Sequence, residues 1–326
     1  MRKRTYHIFI ALAVIVVALS AVLAISSFNK KPKVTVEVVE QPKASNQPTE
    51  TPNKSNNDSS DQEEEPNLQI AGTSSFEIHF FDVGEADAAL IECDGHFMLI
   101  DGGNPGNSSF LYSYLNQHHI DYLDYIICSH AHSDHVGGLA GALNYASVGA
   151  AYSPVKEFDN RAFNSLIKYL TLQNKEIKIP TVGESISLGS ATVSFLGPIN
   201  MEFAETNENN YSLIVKIEYG DTSFLFTGDA EAEEEQSLVD AHVDLKSTLL
   251  KVAHHGSYTS STAEFVSAVN PDYAIISVGK DNEYGHPHDA ALERIAQYCP
   301  VIYRTDINGE IICSSDGAAL SFSFSK

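Results

Sequence analysis

Only four cysteines occur in 326 residues, Cys93, Cys128, Cys299 and Cys313, and no two of them form a C-x-x-C pair. That spacing excludes a thiolate zinc ribbon and a dithiol redox loop. In an exported chain a Cys299–Cys313 disulfide is chemically allowed, although spacing alone fixes no connectivity. Positive charge is also scarce, with 20 Lys+Arg against 43 Asp+Glu and a net charge of −23. Residues 1–72 hold 8 of each sign, so 12 basic and 35 acidic residues fall on 73–326, which carries the whole imbalance. A non-specific nucleic-acid binder has the opposite sign, because neutralised phosphates supply its affinity. No interleaving of aromatic and basic residues of the single-strand stacking kind occurs either. Internal repeats are absent beyond a coarse likeness of two β-rich halves. One long apolar run is present, and a single span does not conduct DNA.

That run, residues 8–25, is 18 residues without charge and follows "MRKR" at the N-terminus. Its length suits one membrane helix, and the basic flank favours an N-terminus inside. Residues 1–28 are therefore expected to be a signal anchor, with a cleaved signal peptide as the alternative given the small residues Val22 and Ala24. Both readings export the remainder: held at the membrane by a single pass in the first case, secreted in the second. Residues 29–72 are rich in Pro, Asn, Ser, Thr, Gln and acids, as in "QPTETPNKSNNDSSDQEEEPN". Such a segment buries too little apolar surface to offset ordering, so a disordered linker is expected. The folded body is expected over 73–326.

Within the body, short apolar runs alternate with helical patterns. "FEIHFFDVG", "AALIE", "HFMLIDGG" and "YLDYIICS" read as strands, with helices at 108–118 and 161–172 and another opening at "VGGL". "ATVSFLG", "YSLIVKIEYG", "TSFLFTGD", "STLLKVA" and "YAIISVG" follow as strands, with helices from Ala230, at 263–269 and at 289–297, and last strands near Val301 and Leu320. This order suggests an α+β body of two sheets packed face to face and covered outside by helices.

The stretch "CSHAHSDHVGG" crowds His130, His132, Asp134 and His135 into six positions. His130 and His132 alternate off a strand end, so both imidazoles face one side, while Asp134 and His135 open the next helix. This donor set points to a metal, and its ligands leave a strand instead of sharing a helix face as in H-E-x-x-H. Asp229 stands at another strand end, in "FLFTGDAEAEEE", where it either caps the next helix, with the glutamates after it then complementing the helix dipole, or joins the donors. His254 and His255 close the strand of "KVAHHGS". One of the pair is expected to bind metal or meet the leaving group and the other to hold phosphate, with the roles open between them.

These blocks resemble the metallo-β-lactamase superfamily, whose fold is a four-layer αβ/βα sandwich with its metals at one edge. The resemblance covers residues 76–313. More narrowly, "FFDVGEADAALI", "LIDGG", "LLKVAHHGS" and "NEYGHPH" are similar to the hydrolase domain of ComEC-type DNA-uptake proteins and to bacterial phosphorylcholine esterases. The resemblance implies that Asp229 bridges two metals and that His286 is a late ligand. His288 is then an outer or solvated residue, and Asp101 accepts a hydrogen bond from a ligand's remaining ring N–H. Many members carry an extra histidine ahead of the strand leading to the bridging aspartate. Here that place reads "TNENNYSL", and Asn210 joins His255 as an expected substrate contact.

The expected metals are thus two divalent ions on His130, His132, Asp134, His135, Asp229 and His286. Zinc and manganese both suit a set of imidazoles and carboxylates, and iron is admissible. Such ions share a hydroxide that attacks phosphorus or a carbonyl carbon, with Asp134 in the catalytic set and His254 or His255 protonating the leaving oxygen. The expected function is an extracytoplasmic metallohydrolase of phosphoester bonds, a phosphodiesterase or nuclease, with no obligate protein partner. The alternatives are a choline-phosphate or other small ester as substrate, a β-lactam, and a binding domain without catalysis.

Overall fold

A computed structural model describes residues 75–326. The expected anchor and linker lie outside the described residues, among which no helix is long and apolar enough to cross a membrane. Among the described residues fifteen strands run in chain order: β1 Phe76–Phe80, β2 Ala89–Cys93, β3 His96–Ile100, β4 Tyr122–Ile127, β5 Ser147–Tyr152, β6 Ile177–Lys178, β7 Ser185–Leu188, β8 Ala191–Gly197, β9 Ile214–Tyr219, β10 Thr222–Phe226, β11 Leu249–Lys251, β12 Tyr273–Ile276, β13 Val301–Arg304, β14 Ile311–Ser315 and β15 Leu320–Phe324.

They form two sheets, ordered β15-β14-β1-β2-β3-β4-β5-β6 and β13-β12-β11-β10-β9-β8-β7. In the first, β1, β2 and β3 pair antiparallel and β3 to β6 pair parallel. The second repeats the scheme, antiparallel from β7 to β10 and parallel from β10 to β13. The likeness of the two halves is therefore one of topology. Parallel strands share a direction, so the loops that leave β3 and β4, and those that leave β10, β11 and β12, emerge at one edge of each sheet.

Alternation in β1 turns Phe76, Ile78 and Phe80 inward and leaves Glu77 and His79 more exposed. Between the sheets Phe76 stacks on Phe224 and Phe80 on Phe226, with Val193, Phe195, Val215 and Ile217 filling the same layer. A second apolar layer joins Leu90, Leu99 and Ile126 to helical Leu111, Val136, Leu139, Phe163 and Leu166. A third joins Ile214, Leu225 and Leu250 to Leu238, Phe265, Val266 and Ile295. Helices thus cover both outer faces, and sheets buried on two sides explain why "TSFLF" and "YAII" are apolar without alternation. The helix Arg161–Leu172 shows the local logic. Asn160 Oδ1 accepts from Phe163 N at 2.7 Å to cap it, and Ala162, Phe163, Leu166 and Leu170 form its buried stripe.

Three expectations change. Strands β5, β6, β7 and β14 carry no clear local signal, and β14 finds β1 from the far end of the domain. The helix expected to open at "VGGL" is two short ones, Ser133–Val136 and Leu139–Tyr145. A Cβ on Gly138 would strike the Gly102 carbonyl, so the glycines serve close backbone approach as well as a tight turn. All four cysteines are free and buried. Cys313 lies between the sheets and Cys299 beneath the outer helices of the second sheet, which rules out their disulfide. Burial pushes both thiols up to about 12.

Candidate metal centre

Five strand ends bring the site together. β3 runs into Asp101, β4 into Ser129 and His130, β10 into Asp229, β11 into His254 and His255, and β12 into the loop carrying His286. His254 and His255 sit in the left-handed region, with φ of 49° and 52°. Two consecutive non-glycine residues in that region are uncommon and mark a turn held by its surroundings. His254 N donates to Gly228 O at 3.1 Å, which ties this turn to the one bearing Asp229.

Asp229 Oδ2 is the focus. It lies 3.3 Å from His135 Nε2, 3.8 Å from His255 Nε2, 3.9 Å from His254 Nε2 and 4.0 Å from His130 Nε2. Asp134 Oδ2 stands 3.4 Å from His255 Nε2 and 3.7 Å from His135 Nε2. Asp134, His135, Asp229 and His255 thereby each offer a donor atom within 4.8 Å of the others. His130 Nε2 is 3.0 Å from His132 Nδ1 on the other side of Asp229, and His132 Nε2 reaches Glu208 at 3.0 Å. His135 Nε2 and Asp229 Oδ1 are buried without a hydrogen-bond partner. Buried polar atoms are rarely left so, and a cation between imidazole and carboxylate answers both. The donor set therefore fits divalent metal.

Charge in the cluster is finely opposed. Burial works to raise the Asp229 carboxyl, yet the imidazoles of His135 and His255 hold it well below its ordinary range. Asp134 is likewise held down against burial, by His135 and His255. Burial works to lower His135, but Asp229, Asp101 and Asp134 carry it well above the usual imidazole value. His130 goes the other way, because burial and the neighbouring His135 both favour its neutral form.

Behind the cluster, Asp101 Oδ2 lies 2.9 Å from His135 Nδ1, and an ionised carboxylate can only accept, so the ring N–H donates and Nε2 is left facing Asp229. Ser129 N and Oγ also donate to Asp101, at 2.8 and 2.6 Å. His254 Nδ1 is 3.2 Å from Glu231 Oε1, and that carboxylate accepts from Asn209 Nδ2 at 2.8 Å and Asn207 Nδ2 at 2.9 Å. The asparagine-rich stretch therefore orients a histidine.

The expected residues fall as follows. His130, His132, Asp134, His135 and Asp229 gather, and His255, one of the pair left open between metal and leaving group, joins Asp134, His135 and Asp229 as a mutually close donor. His286 lines the same cleft, with Nδ1 on Glu85 Oε1 at 2.6 Å and its ring stacked on Tyr284. His288 Nδ1 accepts from Tyr258 N at 3.1 Å beside the helix Asp289–Ile295. Asn210 is corrected as a substrate contact. It is 1% exposed, its Oδ1 accepts from Glu231 N and its Nδ2 donates to Glu233, so Asn209 borders the cleft instead. Sequence reasoning passed over Glu85 and Glu231, which carry no motif of their own. Of the glutamates after Asp229, Glu233, Glu234 and Glu235 do stand in the first turn of the helix Ala232–Asp240, but two of them have a further role. Glu234 accepts from Ile199 N, and Glu235 from Ser261 N and Thr262 N, so both are buried braces.

Residues 81–280 match the family model of the metallo-β-lactamase superfamily. The chain belongs to that superfamily. Among curated superfamily relatives, ComE operon protein 3 of Bacillus subtilis is 28% identical over 253 residues, covering 72% of this chain and 32% of that protein. Recombination protein 2 of Haemophilus influenzae is 30% identical over 241 residues, covering 72% of this chain and 28% of that protein. The chain thus spans about a third of the length of the curated relatives it matches. Among solved structures, the metallo-β-lactamase fold protein YhfI of Bacillus subtilis is 13% identical with a TM-score of 0.49, over 74% of this chain and 100% of that one.

Proposed function

We propose that this superfamily member is a hydrolase of phosphoester bonds that holds two divalent ions about Asp229. The observation that carries the reading is one buried carboxylate oxygen with four imidazole nitrogens within 4.0 Å. Asp134, His135 and His255 would hold one ion and His130 and His132 the other, with Asp229 shared. Ions so held supply Lewis-acid charge and a water made acidic enough to attack at neutral pH. The chain's own residues supply the rest. Glu231 keeps the His254 Nδ1–H engaged, so Nε2 faces the cleft where a leaving oxygen needs a proton. Asn209 and Tyr284 border the same cleft, of about 410 Å³, on either side of the histidines.

The name of one relative, a recombination protein, brings DNA forward as a substrate. A second reading rests on the lining of the cleft. Glu85, Asp134, Asp229 and Glu283 are in it and no Lys or Arg is, which favours a compact ester, such as a choline-phosphate group, over a long polyanion. The proposal includes an exported body held by residues 8–25, supported by the length of that run and its basic flank. The test is turnover of bis(p-nitrophenyl) phosphate, single-stranded DNA, a choline-phosphate ester and a β-lactam by the full chain loaded with zinc or manganese. Cleavage of a phosphoester supports the reading. A metal-loaded chain inert to all three phosphate substrates overturns it; cleavage of the β-lactam would then leave a lactamase, and inertness to that as well a binding domain.

A further inference from the structure

Two charged side chains that the site does not use lie directly behind it. Asp87, in the loop between β1 and β2, and Lys251, the last residue of β11, are 5% and 3% exposed. Lys251 Nζ donates to Asp87 Oδ2 at 2.7 Å and to Val252 O at 3.0 Å. Since β1 and β2 belong to one sheet and β11 to the other, the pair joins the two sheets immediately below the cleft.

Asp87 touches the donor group at two points. Its Oδ1 stands 3.4 Å from His255 Nδ1 without a hydrogen bond, since that ring nitrogen donates to Ser277 O at 3.0 Å. Its backbone N donates to Asp134 O at 3.2 Å, and its own carbonyl accepts from Gly103 N at 2.7 Å, next to Asp101. Asp87, like Asp101 behind His135, places a carboxylate at the back of an imidazole whose front nitrogen faces Asp229, but its Oδ1 makes no hydrogen bond, because the His255 Nδ1–H goes to Ser277 O. A second difference is the ammonium. Asp87, Asp101 and His135 offer donors close enough to attract a cation of their own, and Lys251 supplies that charge from within the chain.

We propose that the Lys251–Asp87 ion pair is a positioning device for the metal centre: it holds a carboxylate charge against the back of His255 and ties down the turn of Asp134, and so sets the affinity of the front group for a divalent ion. The inference rests on the reading that Asp134, His135, Asp229 and His255 hold such an ion. Lys251 answers the charge of Asp87 at the back, so an incoming ion finds its uncompensated carboxylates only at the front. A buried ion pair is weak evidence of stability in itself, because two neutral residues of similar size often serve as well. A pair that joins residues 164 apart in sequence therefore calls for a local role, and the neighbouring His255 and Asp134 offer one.

The test separates holding the fold from holding the metal. In the full chain, K251M alone leaves a buried carboxylate uncompensated and lowers Tm. The D87N/K251M double variant removes both charges and recovers Tm. Its affinity for zinc or manganese, read by competition with a chromophoric chelator, nevertheless falls about 10–100-fold, the range for a partner that orients a ligand. The visible spectrum of the cobalt-loaded double variant shifts as the His255 geometry changes. D87N alone, of the same shape, gives the same loss of affinity should the double variant fail to fold. Either variant folded, with wild-type affinity and an unchanged cobalt spectrum, makes the pair a brace between sheets and overturns the proposal. Failure of the underlying reading would show differently, as a wild-type chain that takes up no ion.

Discussion

Two buried acidic groups meet at His135 and are neutralised in different ways. Behind the ring, Asp101 takes three donors from Ser129 and His135, and Asp87 takes the ammonium of Lys251, which together with nearby His255 holds its carboxyl down at about 2 against the push of burial. In front of the ring, Asp229 Oδ1 and His135 Nε2 are left without partners, and only histidines surround the carboxylates. Unpaired buried charge is costly, so a fold keeps it only where something else arrives to answer it. The helix after Asp229 shows a third solution. Glu234 and Glu235 are raised to about 7 by burial while each accepts backbone N–H groups, so each takes up a proton as pH falls through that value. One carboxylate chemistry thus yields a brace, a titrating brace and a guest site, and the partner supplied by the fold distinguishes them.

The comparison breaks most severely at Asp229. Asp229→Ala removes the oxygen common to both halves of the front group. Metal uptake should be lost, and turnover of a phosphodiester should fall by more than the roughly 100-fold expected for an outer partner, with circular dichroism unchanged. Wild-type turnover in this variant would remove Asp229 from the reaction. The next effect is at His254. His254→Gln should retain its metal and lose about 100-fold or more in kcat on an ester with a poor leaving group, and much less on a nitrophenyl ester that needs no acid. An equal loss on both esters would deny it the role of proton donor. Asp101→Asn is smaller, a drop of about 10–100-fold in metal affinity by chelator competition, because His135 keeps its place but loses a charged acceptor.

The titrating brace gives the mildest effect and the opposite sense of pH dependence. Glu234 and Glu235 hold protons more tightly folded than unfolded. Their contribution is complete below about pH 4.5, the ordinary glutamate range, and is lost as pH rises through about 7. The Tm difference between wild type and E234Q/E235Q should therefore move against the wild type across that window. A difference independent of pH would mean that neither carboxyl titrates there.

The sequence made one side of the comparison legible and hid the other. His130, His132, Asp134 and His135 are adjacent and follow a strand, so their convergence is a local matter. Asp229 and His255 were found because each ends an apolar run, where the chain must turn. Asp87 stands in the loop just ahead of "AALIE" with no motif of its own, and a lysine closing "LLK" looks like the solvent end of a strand. Nothing local tells that a loop from the other sheet meets it. Glu231, Glu234 and Glu235 form one acidic run at a helix start, which conceals that the first orients His254 and the others accept backbone groups from two separate turns. The same limit hid β14, whose partner β1 lies at the opposite end of the domain.

The most direct measurement is the number of zinc or manganese ions bound per full-length chain at equilibrium. Two ions, reduced to none by Asp229→Ala, are predicted from a front group that the fold has left uncompensated. A folded wild-type chain that binds neither metal would mean that those histidines and aspartates answer one another without a guest.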